Sequence, residues 1–303
     1  MNSISIIGHG FVGSAISSGF KHYCDLKIYD RDPKKSTTTL SDAIKSDIVF
    51  IAVPTPMSLK DRGRCDLSAI EETFASVDKS NSSSIFVIKS TVPIGTTSKL
   101  QKKYPHLNIL HSPEFLTART AKLDFITPSR NIVGYSPKFT TLNQIPSALK
   151  ELYEERFPGV SCILMTSDES ETVKYIANCF FAVKISYFNQ IKILCDKLNL
   201  DWNLIMEGVL SDGRIGISHY QVPGHDGKPG FGGTCFPKDI NSLINIMKDN
   251  KLEHSILSSA WDFNLKVRPE KDWESFSSAV SDGQDFFHPN HGSDQSGCGH
   301  DNL

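Results

Sequence analysis

Short apolar runs, rich in Val and Ile and separated by helical or turn-rich segments, fill the first half of the chain. They lie at residues 3–7, 26–30, 47–53, 84–90, 107–111, 131–135 and 161–165. Strands spaced in this way, with helices between several of them, predict βαβ units and a mainly parallel sheet that is covered on both faces. We therefore expect a doubly wound α/β domain at residues 1–166.

The pattern changes at residues 166–200, where apolar positions recur at the three- to four-residue spacing of one long helix. Ser167 or Asp168 can cap the start of this helix, and acidic residues fill the turn that follows, which is typical of a helix N-terminus. The apolar positions are Val173, Ile176, Ala177, Phe180, Ile191, Leu194 and Leu198. Shorter helical segments follow at residues 201–212, 237–250 and 254–268.

These helices predict a mainly α-helical second domain at residues 167–274. A long apolar helix in this position is a frequent place for a homodimer to form, although the same pattern also fits the core of a monomer. From residue 275 to residue 303 the chain turns to Ser, Gly, Asp and His, with too little apolar surface to offset the entropy of ordering. We expect a disordered tail there, and its His and Cys residues are too loosely spaced to predict a metal site.

The composition narrows the class of protein. A chain of 303 residues fits about two domains, and its formal net charge of −2 argues against binding nucleic acid or an anionic membrane through bulk positive potential. The seven cysteines are scattered and form no C-x-x-C pair, which is typical of reduced cytosolic thiols. The N-terminal segment lacks the basic residues of a signal peptide, and no apolar run of about 18 residues occurs. We therefore expect a cytoplasmic protein.

The sequence GHGFVG follows the first predicted strand and opens a helical segment. In its G-x-G-x-x-G spacing, Gly8 allows a tight turn, Gly10 lets the backbone approach a pyrophosphate, and Gly13 permits close helix packing. Asp30 ends the next strand, where a carboxylate binds the adenosine ribose hydroxyls. The combination predicts a Rossmann-type site for NAD and disfavours NADP, because Asp30 would repel a 2′-phosphate. A glycine-rich turn without a cofactor is the weaker alternative.

Cys235 stands between a run of glycines and a Pro-Lys-Asp triplet in the segment GFGGTCFPKD. A cysteine just ahead of a helix start, with Pro237 suited to the first turn and Lys238 beside it, is expected to have a lowered thiol pKa. A buried structural cysteine is the alternative, but such a cysteine would sit among aliphatic residues. The sequence therefore predicts a nucleophile.

Four more residues are candidates for chemistry. Lys174 and Asn178 lie one turn apart on the same face of the long helix, where they can supply a cation and an amide to a developing oxyanion. A solvated lysine on an amphipathic helix is the alternative. Thr91 and Glu114 follow strands of the first domain, at the edge where open α/β sheets bind ligands, although a residue at a strand end is often only a cap.

Six segments together resemble the UDP-glucose and GDP-mannose dehydrogenase family, in the family's order and across about residues 3–268. They are GHGFVG, VPTPM, STVPIGTT, SPEFL, KYIANCFFAVKISYFNQ and GFGGTCFPKD. The resemblance implies NAD-dependent four-electron oxidation of a nucleotide sugar to the uronic acid, with UDP-glucose and UDP-glucuronate as the first choice of substrate and product.

The resemblance also implies a role for each matching residue. Cys235 would attack the aldehyde left by the first hydride transfer, forming a thiohemiacetal that a second NAD oxidises to a thioester. Lys174 and Asn178 would stabilise the oxyanion. Thr91 would bind the catalytic water, and Glu114 would act as general base, including in thioester hydrolysis.

Further contacts follow from the same match. Asp239 would hold a water or the lysine in place. The implied NAD contacts are Gly8, Gly10, Phe11, Val12, Gly13, Asp30, Val53, Pro54, Thr55, Thr91 and Lys238. The implied substrate contacts are Glu114, Phe115, Leu116, Lys174, Asn178, Arg214, Lys228 and Gly232. Arg214 and the loop at residues 217–233 would lie over the sugar and its pyrophosphate, and no metal is implied.

The chain departs from the family pattern in two ways. Ala118 stands where family members commonly carry a second acidic residue, four positions after the glutamate of SPEF. Many relatives continue into another Rossmann-like domain that grips the nucleotide base, so the resemblance is to a short form. Two other functions remain open: a two-electron β-hydroxyacid-type dehydrogenase, which needs no cysteine nucleophile, and a catalytically inactive nucleotide- or NAD-binding protein, which Ala118 favours.

Overall fold

The computed structural model describes residues 3–78, 83–136, 138 and 144–282. Its strands are β1 (Ser3–Ile7), β2 (Asp25–Tyr29), β3 (Ile48–Ile51), β4 (Met57–Ser58), β5 (Arg64–Cys65), β6 (Ile85–Ile88), β7 (Asn108–His111), β8 (Asn131–Tyr135) and β9 (Cys162–Thr166). Its α-helices are α1 (Phe11–Phe20), α2 (Leu40–Ala43), α3 (Ser68–Val77), α4 (Thr96–Lys103), α5 (Ala121–Ile126), α6 (Gln144–Arg156), α7 (Ser167–Lys197), α8 (Trp202–Leu210), α9 (Phe236–Asp249) and α10 (Ser255–Val267). Two short 3-10 turns lie at Pro33–Lys35 and Asp272–Ser275.

Seven strands form one sheet in the order β2-β1-β3-β6-β7-β8-β9. Every neighbouring pair is parallel except β7 and β8, which run antiparallel. The mainly parallel α/β fold predicted from the apolar runs is therefore confirmed.

Helices cover both faces of this sheet. Successive side chains of a strand point to opposite faces, so neighbouring residues of one strand pack against different helices. Phe50 of β3 joins an apolar cluster with Phe20 of α1 and Tyr153 of α6. Its neighbour Val49 joins the second cluster, with Phe74 of α3. Burial on both sides explains why the strands read as continuous apolar runs rather than as alternating ones.

The long helix α7 begins directly after the last strand of the sheet. Its N-cap is Thr166, whereas the sequence predicted Ser167 or Asp168. Thr166 keeps the extended backbone of β9, and its hydroxyl accepts from the backbone N–H of Glu169 at 3.3 Å. The Glu169 carboxylate in turn accepts from the backbone N–H of Thr166 at 2.8 Å. Both hydrogen bonds of a capping box are thus present, and they fix the helix start at Thr166.

Helices α9 and α10 pack against the middle of α7. Their shared apolar cluster includes Cys179 and Ala182 of α7, Ile240 and Ile244 of α9, and Ala260 of α10. These helices match the predicted segments to within three residues at each end. They put the start of α9, where Cys235 lies, against the face of α7 that carries the candidate polar residues.

The chain after α10 returns to the sheet domain, which differs from the predicted disordered tail. Val280 is fully buried and bridges Met57 in a parallel pairing. The Asp282 carboxylate accepts from the backbone N–H of Leu59 at 2.6 Å and of Lys60 at 3.0 Å. The few apolar residues of this stretch pack against Met57 of the short hairpin β4–β5, which the sequence pattern does not predict. Residues 283–303, the rest of the predicted tail, lie outside the described residues.

Candidate active site

The glycine loop joins β1 to α1 with the geometry that its spacing predicts. Gly8 has φ +92°, and a Cβ added there would lie 2.6 Å from the Ala52 carbonyl oxygen. A Cβ at Gly13 would lie 1.9 Å from the Gly8 carbonyl oxygen. A Cβ at Gly10, the N-cap of α1, would meet no atom within 4 Å. Gly8 and Gly13 are thus required by the protein backbone, whereas Gly10 opens the helix N-terminus to a ligand.

Asp30 lies at the end of β2, beside this loop. Its carboxylate accepts from the backbone N–H of His9 at 2.6 Å and of Asp32 at 2.9 Å. A cavity of about 290 Å³ adjoins it, and Arg31 forms an ion pair with Glu72 on the cavity wall. Other residues around the cavity include the predicted cofactor residues Gly8, Val53 and Pro54.

The carboxyl ends of β6 and β7 carry the next candidates. Thr91 is buried, and its carbonyl accepts from the Thr55 hydroxyl at 2.7 Å. Glu114 is also buried, and one carboxylate oxygen accepts from the backbone N–H of Leu116 at 2.6 Å. Because the carboxyl ends of parallel strands meet at one edge, Thr91 and Glu114 share the sheet edge that carries the glycine loop.

Lys174 reaches from α7 to Glu114. Its ammonium lies 2.8 Å from Glu114 Oε1 and donates to the Glu114 carbonyl at 2.7 Å. Burial alone would raise the pKa of Glu114, but the charge and hydrogen bond of Lys174 outweigh burial and hold that pKa below its usual value. The Lys174 ammonium also lies 5.6 Å from the centre of the Phe115 ring. The inward orientation of Lys174 rules out the solvated lysine considered from the sequence.

A second polar chain links α7 to α9. Asn178 Nδ2 donates to Asp239 Oδ2 at 2.6 Å, and Lys238 Nζ lies 2.5 Å from Asp239 Oδ1. Burial would lower the pKa of Lys238, yet the Asp239 carboxylate raises it, so this lysine stays charged. Asp239 therefore holds an amide and a cation at once, close to the start of α9.

Cys235 is the N-cap of α9 and is partly exposed. Burial of the thiol raises the pKa of Cys235, the Glu114 carboxylate raises it further, and the ammonium groups of Lys238 and Lys174 oppose both. The lowered pKa predicted from the sequence is therefore wrong for the free protein. The reason is that the fold buries the thiol and brings Glu114 close to it, and the local sequence around the cysteine reveals neither.

Three residues expected to contact the substrate have partners in the protein that do not belong to this cluster. Arg214 has 90% of its side chain exposed and pairs with Asp212. Lys228 lies 3.2 Å from Glu270. At Gly232 a Cβ would lie 2.3 Å from Asp272 Oδ1 and 2.5 Å from Arg268 Nε, so glycine is needed there for packing.

Arg268 and Lys89 are buried beside the site but are not among the functional residues predicted from the sequence. Arg268 is buried and bonds Asp226, Asp272 and the Pro229 carbonyl, which fixes the glycine-rich loop ahead of Cys235. No local pattern marks it, because its partners are spread along the chain. Lys89 does carry a signal, since it directly follows the buried apolar run of β6.

The described residues contain no helix both long and apolar enough to cross a membrane. They also contain no cluster of three or more His, Cys, Asp or Glu side chains arranged to hold a metal ion.

The fold and the site define a Rossmann-type nucleotide-binding protein with an attached helical unit. Residues 27–157 match the NAD binding domain of the UDP-glucose/GDP-mannose dehydrogenase family, and residues 168–266 match the family's central domain. The chain belongs to this family.

Individual proteins agree with this assignment. UDP-glucose 6-dehydrogenase of Rickettsia prowazekii is 34% identical over 79% of this chain and 54% of its own length. The chain thus spans about half the length of the curated relatives it matches. The structure of a UDP-glucose dehydrogenase from Pyrobaculum islandicum has a TM-score of 0.77 and 26% identity, covering 91% of this chain and 71% of its own. A 3-hydroxyisobutyrate dehydrogenase from Mycobacterium tuberculosis shares the fold alone, with a TM-score of 0.69 and 16% identity over 89% of this chain and 95% of its own.

Proposed function

We propose that this protein carries out the NAD-dependent four-electron oxidation of a nucleotide sugar, with UDP-glucose as substrate and UDP-glucuronate as product. The family assignment and the relatives named UDP-glucose 6-dehydrogenase support this choice. The observation that carries it is the position of the Cys235 thiol, within electrostatic range of Glu114, Lys174, Lys238 and Asp239. A two-electron dehydrogenase would not need a cysteine in that position.

The glycine loop fits NAD. The free space beside Gly10, at the N-terminus of α1, suits the pyrophosphate, and the Asp30 carboxylate beside the 290 Å³ cavity suits the adenosine ribose. Phe11, Val12 and Gly13 continue the loop into α1, while Val53, Pro54 and Thr55 follow β3 at the same edge. Bound NAD would supply the hydride acceptor for each oxidation.

Glu114 and Lys174 are suited to the first oxidation. The ionised Glu114 carboxylate would accept the proton of the substrate's 6-hydroxyl while the hydride leaves from the same carbon. The negative charge that develops on the oxygen would be met by the Lys174 ammonium and the Asn178 amide. Thr91, buried at the neighbouring strand end, would orient the water used in the last step.

Cys235 would retain the aldehyde and allow the second oxidation. Once Glu114 has released its first proton to solvent, the sulfur bonds to the aldehyde carbon as the thiol proton passes to the aldehyde oxygen. The thiohemiacetal then loses its hydroxyl proton to Glu114 and a second hydride, which gives a thioester. Water, deprotonated by Glu114, cleaves the thioester to the carboxylate, and one of the water protons restores the thiol. The sum is one alcohol and one water converted to a carboxylate, with two hydrides transferred and three protons released. Asp239 would keep Asn178 and Lys238 in place throughout.

We also propose that two copies pair through α7. One stripe of this helix exposes large apolar side chains: Ile176, Phe180, Tyr187, Leu194 and Leu198 are 51–61% exposed. Their spacing of four or seven residues puts them on one helix face, away from the face that packs on α9. An apolar stripe of this length favours burial against an identical stripe in a two-fold dimer.

The test is the NADH yield per UDP-glucose consumed, with NAD in excess and a Cys235→Ser variant measured in parallel. We expect a yield of about two in the wild type and loss of the second equivalent in the variant. A yield of about one that the variant does not alter would favour the two-electron dehydrogenase. No NADH from UDP-glucose, GDP-mannose or UDP-N-acetylhexosamines would favour an inactive binding protein.

A further inference from the structure

Lys89 is a buried lysine that the proposed chemistry does not use. It directly follows β6, and only 5% of the residue is exposed. Its ammonium lies 3.2 Å from the Ser112 hydroxyl and 3.3 Å from the Pro113 carbonyl oxygen. It also lies 5.8 Å from the centre of the Tyr153 ring. The side chain thus ends beside the loop that carries Glu114, on its protein-facing side.

The hydrogen-bond partners of Lys89 are neutral. In the part of the chain that the structure describes, no carboxylate lies within ion-pair distance of its ammonium. Burial lowers the pKa of Lys89 to about 7, and Glu114 is the carboxylate that opposes this effect. Burying an ammonium without an ion-pair partner is strongly unfavourable, so a stabilising role alone does not explain this lysine.

Lys89 and Lys174 hold two consecutive peptide groups. Lys89 bonds the Pro113 carbonyl, and Lys174 bonds the Glu114 carbonyl at 2.7 Å. Together they fix the backbone on both sides of the Glu114 α-carbon, and so fix where its side chain begins. Both charges also favour the ionised carboxylate, with Lys174 the stronger of the two.

The titratable groups around this pair come from several elements. Those that act on Lys89 or Glu114, or on which they act, are His111 of β7, Tyr153 of α6, Cys162 of β9, Lys174 of α7 and Cys235 ahead of α9. Lys174 is the one cation of this group that the proposed chemistry also requires at the substrate oxygen. When the Lys174 ammonium interacts with the substrate oxygen, it stabilises the Glu114 carboxylate less. A second cation, which the substrate cannot reach, is then needed to keep Glu114 ionised.

We propose that Lys89 is a positioning residue for Glu114: it holds the Pro113 carbonyl and supplies, from behind the site, positive charge that keeps the Glu114 carboxylate ionised while Lys174 engages the substrate. This proposal rests on the proposed function, because it assumes that Glu114 is the general base. It assigns Lys89 no contact with substrate or cofactor.

The test replaces the charge and follows Glu114 directly. In protein labelled with ¹³C at glutamate side-chain carboxyls, the Glu114 signal is identified by its loss in Glu114→Gln, and its titration is compared between wild type, Lys89→Met and Lys89→Gln. We expect both Lys89 variants to move the Glu114 midpoint up by about one pH unit, because a nearby positive charge is lost. The acid limb of kcat against pH should move by the same amount, whereas loss of packing alone would lower kcat at every pH without moving the limb.

Two controls separate the outcomes. Lys99→Met, on the exposed side of α4, should leave the Glu114 midpoint and the pH profile unchanged. Lys89→Gln keeps an amide to bond Ser112 and the Pro113 carbonyl, so it should fold even where Lys89→Met does not. A folded Lys89→Gln protein with an unmoved Glu114 midpoint overturns the proposal. A wild type without NADH production refutes the proposed function instead, and the titration still shows whether Lys89 acts on Glu114.

Discussion

The thiol of Cys235 lies between opposing charges. Burial and the Glu114 carboxylate favour the protonated thiol, while Lys238 and Lys174 favour the thiolate. A raised pKa suits the proposed chemistry, since a thiol that stays protonated at rest is protected from oxidation and alkylation until the aldehyde is formed. The charges around the sulfur atom therefore keep Cys235 protonated, and so unreactive, in the resting protein.

Alkylation by iodoacetamide measures this balance. In the free wild type we expect the rate at Cys235 to rise with pH and to reach its midpoint above the ordinary thiol value of 9.0. In Glu114→Gln the midpoint should fall, because a neighbouring negative charge that opposes the thiolate is removed. Peptide mass spectrometry assigns the modified residue, and Cys235→Ser gives the background from the other cysteines. An unmoved or higher midpoint in Glu114→Gln would contradict the charge arrangement described above.

At the scale of elements, the start of α4 depends on a residue of α7. Glu171 is buried, and its carboxylate accepts from the backbone N–H of Gly95 at 2.6 Å and of Thr97 at 2.8 Å. It also accepts from the Thr97 hydroxyl at 2.6 Å. The loop between Thr91 and α4 is thus tied to the helix that carries Lys174. Burial raises the pKa of Glu171 to about 7, although these hydrogen bonds oppose the shift.

This carboxyl makes stability depend on pH. The folded protein retains the Glu171 proton up to about pH 7, whereas the unfolded chain loses it near 4.5, so the folded state binds more protons between these values. We expect the free energy of unfolding to fall by about 3 kcal/mol as pH rises from 5 to 8, and Glu171→Gln to remove that slope. Urea denaturation at several pH values measures both. Glu169→Gln, at an exposed position of the same helix, should keep the wild-type slope, and parallel curves for wild type and Glu171→Gln would disprove this assignment.

The elements that could be predicted from the sequence are those in which the helical repeat continues over many residues or in which the strand forms an uninterrupted apolar run. Helix α7 and the strand β3 are of this kind, and Lys174 and Asn178 were paired correctly because one helical turn separates them. The hairpin β4–β5 was missed because strands of two residues have no detectable period. The contacts of Glu171 with Thr97 and of Lys89 with Pro113 join residues 74 and 24 positions apart, and pairing of that kind depends on the fold. The error on the Cys235 pKa has the same origin.

At the scale of the molecule, the sheet and the helical unit are held together by contacts on one side of the site. Arg64 of β5 forms two hydrogen bonds with Asp249 of α9, at 2.5 and 2.6 Å. Trp273, after α10, is fully buried beside Met57 and Val280. These contacts fix α9 against the sheet, and with it the position of Cys235 relative to the sheet edge that carries Glu114.

The apolar stripe of α7 leads to a prediction about assembly. We expect the wild type to sediment as a dimer, and Phe180→Lys combined with Leu194→Lys to sediment as a monomer, because two charges would be buried in the contact. Ile256→Lys, on the exposed side of α10, should remain dimeric. Sedimentation velocity measures all three proteins. A monomeric wild type, or a dimeric double variant, would exclude pairing through this stripe.

In the proposed reaction, Cys235 holds the sugar covalently between the two oxidations. The most direct test of this claim is intact-protein mass spectrometry of the wild type, quenched in acid at successive times during turnover with NAD and UDP-glucose. Because acid quenching preserves a thioester, protein sampled during turnover should carry the added mass of the substrate on the peptide that contains Cys235. An adduct of that mass, absent without NAD and absent from Cys235→Ser, is the predicted result. Substrate oxidised to the acid with no adduct on Cys235 at any time point would contradict the account.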